Sequence, residues 1–408
     1  MIVGKRELLK GVKVVELSTY AAAPGCGRIL ADMGADVIKV EPPAGDPFRK
    51  FGLSVSAPVG DEEDPCFQLE NAGKRSIAIN LKTAEGKEVF FRLLADANIF
   101  FTNTRIQSLK KMGIDYDSLK EKFPHLVYGH ISGYGLKGKD ASMPGYDITG
   151  FWARGGSLAD LAFEGNGPLA PPTGVGDHTT SIALAAGLLA GLYKQKMTGE
   201  GEYVLTSLFG SAVYLNGLMN LPAQYDDAWP KNRFQPLTPI SNTYSCADGE
   251  MITLTILDYT RDWGKFCKMI GREDLIEEER FNNQVSAKEY ENSKELITLL
   301  TGIFKEHDRD YWVAKLKEYD LPFSKTQHMR EIAEDPQAWA NGYLTEYTFP
   351  NGHAAAIPST PIQFGENAAP PCEPFPKNGE HTVEILKEYG YGERDIVSFI
   401  EKGAVVSV

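Results

Sequence analysis

The chain has 408 residues, 42% of them hydrophobic and 24% charged, the balance of a soluble globular protein with room for two cores. A formal net charge of -13 argues against nucleic acid and anionic membranes as main partners, since both demand a basic footprint. A phosphate-bearing small ligand stays open, because a few local cations and backbone N–H groups are enough to hold one.

The first residues, MIVGKRELLKGVKVVEL, show no signal-peptide pattern. No run of about 18 apolar residues follows, so a cytoplasmic protein is expected. Val12–Leu17 (VKVVEL) reads as a strand, Gly25–Met33 as a helix and Asp36–Glu41 (DVIKVE) as a second strand. Ser76–Leu81 is a third strand. Thr83 then caps a helix through Leu94, with Glu85 in its first turn. Asn98–Phe101 and Leu126–Ser132 complete five short strands. Strands alternating with helices predict an α/β fold with a mainly parallel sheet. Ligands of such sheets sit at the carboxyl ends of the strands, here Ser18–Pro24, Asn103–Arg105 and Gly133–Gly135.

Thr179–Tyr193 (TTSIALAAGLLAGLY) is apolar nearly all round and predicts a buried helix, followed by a second over Ser207–Asn220. A connector rich in proline and aromatics leads to a mixed block from Tyr244 to about Asp320, with one strand and several charged helices. Residues 1–222 thus open a large domain, 223–243 form a linker, 244–320 a smaller α+β domain, and 321–408 a linker and the remainder. That remainder shows strand signals at Tyr343–Phe349 and Ile357–Phe364, then helices at His381–Glu388 and Glu393–Lys402.

Five cysteines, an odd number without a C-x-x-C pair, give neither a disulfide framework nor a zinc site. The seven histidines show no metal-binding spacing. Gly133–Gly138 (GYGLKG) has the form of a dinucleotide fingerprint, but a loop follows it where that fingerprint needs a helix. A glycine turn that touches some ligand is the better reading. Asp177 precedes the buried helix. From position alone it is an N-cap; the same position would also keep a carboxylate nucleophile ionised beside oxyanion-stabilising N–H groups. His178 is expected to be solvated or capping, because adjacent helical side chains point about 100° apart.

Six segments in order decide between these readings: the run from GVKVVEL to PAGDPFR, NAGKRSIAINLKTAEGK, NTRIQSLKKMGIDYDSLK, YGHISGYGLKG, VGDHTTSIALAAGLLAGLYKQKMTGEGEYV and MREIAEDPQAWANGYL. Together they resemble the class III CoA-transferases from about Leu9 to Glu388. The resemblance implies a Rossmann-like large domain built from both chain ends, a small α+β domain, and a ring-shaped subunit interlocked as a homodimer. It implies that Asp177 is the nucleophile. No tightly bound cofactor is implied; coenzyme A thioesters are substrate and product. Tyr20, Ala21 and Ala22 are expected to line the CoA path. Ile79, Asn80, Leu81, Lys82, Asn103, Thr104 and Arg105 are expected to approach the nucleotide, Lys111 a phosphate, and Gly133 and Tyr134 the pantetheine.

Departures from the family pattern carry information too. Pro42 stands where a basic residue is common, with Arg49 the candidate to compensate, and Ser132 replaces a lysine. TPISNTYSCADG lacks the glycine run of the formyl-CoA enzymes, which argues against oxalate-type substrates. The related racemases pair the aspartate with the histidine of a G-H-D motif; Gly145-Tyr146-Asp147 has no such base. Racemisation and non-catalytic CoA binding are the alternatives. Within the family the strongest likeness is to phenyllactate and 2-hydroxyisocaproate CoA-transferases. This implies an (R)-2-hydroxy acid acceptor, an acyl- or enoyl-CoA donor, and a link to a 2-hydroxyacyl-CoA dehydratase in amino-acid fermentation. Phe151–Trp152 are candidates to face its side chain.

Overall fold

A computed structural model describes residues 7–225, 229–365 and 372–408. They form two compact units. One gathers the described residues within Met1–Ser157, Ala170–Leu221 and Pro336–Val408; the other comprises Leu158–Leu169 and the described part of Pro222–Asp335.

The first unit is built on a seven-stranded sheet. Its strands are β1 (Lys13–Leu17), β2 (Asp36–Glu41), β3 (Arg75–Ile79), β4 (Ile99–Thr102), β5 (Val127–Ser132) and β6 (Tyr203–Ser207), with Val405–Val406 at one edge. The spatial order is Val405–Val406, β3, β2, β1, β4, β5, β6. Every pairing is parallel except that of Val405–Val406 with β3. Successive strands run outward from β1 to β3, then the chain returns to β1's other side with β4. That reversal leaves a crevice at the carboxyl ends of β1 and β4, where such folds place ligands.

β-branched and aromatic side chains of β1–β5 fill both faces of the sheet, as a sheet covered on both sides requires. The long helix Val175–Thr198 packs against the helix Ala22–Asp32 and against β5 and β6. It begins four residues before the expected Thr179, because Gly174–Thr179 already has helical hydrogen bonding. The hairpin Leu344–Thr348/Ala354–Pro358 lies earlier than the second of its two expected strands. Its Phe349 and Ile357 join Phe48, Phe67 and Phe375 in a small aromatic core, so the late part of the chain supports the Phe48 region.

The second unit has a three-stranded antiparallel sheet, Thr243–Ser245, Met251–Leu254 and Phe323–Thr326, rather than the single expected strand. The two additional strands are short and half-exposed, so their apolar signal is weak. Helices Tyr259–Met269, Tyr290–Phe304 and Arg309–Glu318 cover a core containing stacked Tyr244 and Phe304.

Candidate active site

The crevice is shaped first by buried charge. Glu16, Lys39 and Glu41 are fully buried at the ends of β1 and β2. Lys39 Nζ lies 3.1 Å from Glu16 Oε1 and 2.9 Å from Asp46 Oδ2, and Lys74 Nζ lies 2.8 Å from Glu16 Oε2. Burial pulls the Lys74 ammonium down to about 8, against the attraction of Glu16. Such ions survive away from water only when paired and hydrogen-bonded. Here the pairing fixes the next loop: Lys39 donates to Ser18 O, while Asp46 Oδ1 accepts the amides of Tyr20 and Phe48. Tyr20 is thereby held at φ +65°, a costly conformation for a bulky residue.

The β4 loop is tied to the β1 loop by one side chain. Asn103 Oδ1 accepts Thr19 N–H at 3.1 Å, and Asn103 Nδ2 donates to Thr19 O at 2.7 Å. Beyond β5, Gly133 and Gly145 pass backbone to backbone. A Cβ on Gly133 would stand 2.7 Å from Gly145 Cα, so any side chain there would push the loops apart. These loops enclose a cavity of about 220 Å³ lined by Tyr20, Ala22, Asn103, Arg105, Gly133 and Asp177, among others.

Asp177 is not the cap of its helix. Gly174 occupies the cap position, and Asp177 sits in the first turn. The free N–H groups go to another carboxylate: Asp147 Oδ2 accepts Gly174 N–H at 2.9 Å, and Asp147 Oδ1 accepts Asp177 N–H at 3.2 Å. Gly176 permits this closeness, since a Cβ there would fall 2.4 Å from Asp147 Oδ1. No hydrogen bond from the described residues reaches the Asp177 carboxylate. Burial, with Asp147 and Glu70 nearby, pushes it up to about 7, partly opposed by His178.

His178 is not simply solvated. Its Nε2 lies 2.7 Å from Oε1 of the buried Glu70. That hydrogen bond holds the imidazole's pKa above its ordinary value, against the opposing effect of burial. Asp177 and His178 do share a cavity, because it wraps over the helix end. This second space, about 380 Å³, is largely apolar and includes Phe48, Phe51, Val55, Cys66 and Leu69 in its wall. Phe48 and Phe51 stack at 4.8 Å between ring centroids. Tyr20, Tyr146 and Asp177 belong to both cavities, with the two tyrosines edge to face at 5.7 Å.

Of the residues expected from sequence, Tyr20, Ala22, Asn103, Arg105 and Gly133 come together with Asp177, and Ala21 lines the apolar side. Thr104 is adjacent, its carbonyl 2.9 Å from His130 Nε2. Tyr134 lies instead in a larger apolar hollow of about 780 Å³, with Ile182, Leu205 and Tyr214. Ile79 has its side chain in the core. Asn80 donates to Gly403 O and accepts Lys82 N–H, and Leu81 packs on the core, two strands away from β1. Lys111 is exposed in the last turn of the helix Ile106–Met112. Arg49 does not replace a basic residue at position 42: it grips Glu41 through two nitrogens, donates to Pro376 O and lies 3.9 Å over the Phe67 ring. Phe151 and Trp152 are buried, with Phe151 against Gly176, and line neither cavity at Asp177. Turn and loop residues, not a helix, directly follow Gly138, so the fingerprint-like glycines form a turn. Among the described residues no cluster of His, Cys, Asp or Glu is arranged for a metal ion.

The family model described as CoA-transferase family III matches residues 9–382. The chain belongs to CoA-transferase family III. Among family members, the (R)-2-hydroxy-4-methylpentanoate CoA-transferase of Clostridioides difficile is 43% identical over 398 residues, covering 98% of this chain and 99% of that protein. The cinnamoyl-CoA:phenyllactate CoA-transferase of Clostridium sporogenes is 40% identical over 392 residues, 95% of each chain. A solved CAIB/BAIF family protein from Brucella suis superposes with a TM-score of 0.79 at 29% identity, covering 93% of this chain and 99% of that one. This chain is therefore a CoA-transferase, and its α/β fold is that of the family.

Proposed function

We propose that this CoA-transferase moves CoA from an acyl- or enoyl-CoA to an (R)-2-hydroxy acid with a branched or aromatic side chain, with Asp177 as nucleophile. The observation that carries this is the position of the Asp177 carboxylate, without a hydrogen bond from the described residues, where the two cavities meet. The named activities of the two bacterial relatives supply the acid class.

In this reading the Asp177 carboxylate attacks the thioester carbonyl. The C–S bond breaks, CoA leaves as thiolate, and an acyl–aspartyl anhydride remains. The thiolate attacks the aspartyl carbonyl, which frees the first acid and leaves aspartyl-CoA. The acceptor carboxylate attacks that thioester, again expelling thiolate, and the thiolate takes the new acyl group and restores Asp177. Each covalent step conserves the thioester's activation, which hydrolysis would discard. An apolar wall limits water at the anhydride.

Tyr20, Ala22, Asn103, Thr104, Arg105 and Gly133 are assigned to the CoA side, with Arg105 a cation for phosphate, and Ala21 borders the CoA path from the apolar cavity. Asn80, Leu81, Lys82 and Lys111 are assigned to the distant nucleotide end, and Tyr134 to the pantetheine. Phe48, Phe51 and Leu69 take the place of Phe151–Trp152 as the wall facing the acid's side chain. A homodimer with interlocked rings, a cytoplasmic location and a place upstream of a 2-hydroxyacyl-CoA dehydratase complete the proposal. Exposed apolar side chains such as Tyr214 and Leu218 support a covered face, and no described helix is long and apolar enough to cross a membrane.

The test is trapping. Incubation with an acyl-CoA followed by hydroxylamine should mark the peptide containing Asp177. An enzyme that exchanges CoA while this peptide stays unmodified would sink the assignment. Deuterium entry at the α-carbon without CoA exchange would point to an isomerase.

A further inference from the structure

The apolar cavity has a charge problem. Its described lining includes three carboxylates, Asp147, Asp177 and Glu70, and no lysine or arginine. A carboxylic acid must nevertheless bring its own carboxylate into this cavity to reach the aspartyl-CoA, with the carboxylates of Asp147 and Glu70 beside it. Like charges at close range in a poorly solvated space repel strongly, so binding requires a positive partner. Within that lining only His178 can carry a positive charge near neutral pH.

Its surroundings suit that task. Nε2 is engaged by Glu70 at 2.7 Å, which fixes the ring and leaves Nδ1 as the free donor; no described residue bonds to Nδ1. Glu70 is buried, with 2% of its surface exposed, whereas the His178 side chain is 46% exposed, so the pair has a rooted end and an open end. The groups facing the imidazole are Glu70, Asp177 and Asp147, with Tyr20 and Tyr146 across the cavity. Behind it, the pair also lines a neighbouring hollow of about 310 Å³ containing Arg28, whose guanidinium is tied to Asp32 at 2.8 Å. The carboxylates around His178 thus favour the imidazolium, and Arg28 is neutralised by its own partner.

We propose that His178, seated on Glu70, receives the carboxylate of the free acid beside Asp177, its Nδ1–H donating to the acid while Nε2–H donates to Glu70. This rests on the reading of Asp177 as the acyl-carrying nucleophile. The inference makes a distinction within the substrates. An acyl-CoA presents a neutral thioester to the cavity, whereas the free acid presents an anion. Only the anion needs the imidazolium.

Steady-state kinetics on the full-length His178→Gln and Glu70→Gln variants test this, with (R)-2-hydroxy-4-methylpentanoate as acid and its CoA thioester as the reverse substrate. The KM for the acid should rise at least tenfold in His178→Gln, and that for the thioester by less than twofold. The primary amide of the acid, as an inhibitor, should bind wild type and variant alike. Glu70→Gln should lower the pH at which wild-type acid affinity is lost. An unmoved acid KM alongside a normal Asp177 adduct overturns the inference alone. A parallel loss for acid and thioester assigns His178 to the helix end's structure and also overturns it. Absence of any Asp177 adduct in the wild type overturns the nucleophile reading, and the inference with it.

Discussion

Asp147 accepts the amide N–H of Asp177 at 3.2 Å, so one carboxylate holds the helix end while the other accepts no hydrogen bond from the described residues. The division separates two jobs that a single aspartate at a helix start ordinarily combines. Capping stabilises by about 1 kcal/mol through bonds that occupy the carboxylate's lone pairs. A nucleophile needs those lone pairs free, and Asp147 leaves them so.

Replacing Asp177 should therefore abolish chemistry without unravelling the helix. Asp177→Ala is expected to lower exchange by at least about 10³-fold, the scale on which removal of a covalent nucleophile acts. Circular dichroism should remain that of the wild type. An exchange rate near the wild type's in this variant would remove Asp177 from the mechanism.

The pH profile follows from the same carboxylate. Burial and two neighbouring carboxylates raise it to about 7, and attack requires the ionised form. Turnover per free enzyme, kcat/KM for the acyl-CoA, should fall as pH drops through about 7. Asp147→Asn removes one raising charge, so this limb should move to lower pH. Stability runs the other way. The folded state binds the Asp177 proton more tightly than the unfolded state, so this contribution is present at acid pH and lost as pH climbs through about 7. Asp177→Asn should gain stability relative to wild type between pH 5 and pH 8 in urea titrations.

In the proposed function, Phe48, Phe51 and Leu69 meet the acid's side chain. Phe51→Ala enlarges that wall, and the ratio of kcat/KM for phenyllactate over 2-hydroxy-4-methylpentanoate should rise by about tenfold, the usual scale for a hydrophobic pocket of altered size. The KM for CoA thioesters measured at constant acyl group should change little. A ratio that stays fixed would place the side chain elsewhere.

Beneath Tyr20, Glu16 faces two buried lysines. Glu16→Ala leaves Lys39 with Asp46 and strands Lys74. A loss of about 3–5 kcal/mol is expected for breaking a buried ion network from one side, read from the denaturant midpoint. Activity should fall as well, since Lys39 also anchors Ser18 O below the Tyr20 turn.

Much of this was legible along the chain. The first five strands announce themselves by short apolar runs between helices, and the loops after β1, β4 and β5 line the cavity at Asp177. β6 escaped notice because Tyr203–Ser207 is half-exposed, with a mixed pattern, and Val405–Val406 is too short to carry a pattern. Asp177 looked like a cap because two glycines precede it, and periodicity cannot tell a cap from a first-turn residue. Asp147 is the last residue of Gly145-Tyr146-Asp147, and nothing in that triplet marks it as the helix-end acceptor. Glu70 gave no signal, since its partner His178 is 108 residues away and the two meet where both their helices pack on the helix Ala22–Asp32. Arg49 illustrates the reverse. A free-looking arginine near a missing base is, in three dimensions, already bound to Glu41.

The two cavities at Asp177 have Tyr20, Tyr146 and Asp177 in common and otherwise separate walls. Acid preference can thus drift through Phe48, Phe51 and Leu69 while the CoA wall stays as it is. A lineage could exchange one acid for another by repainting one side of a partition, and a change at any of the three shared residues would be felt in both rooms at once.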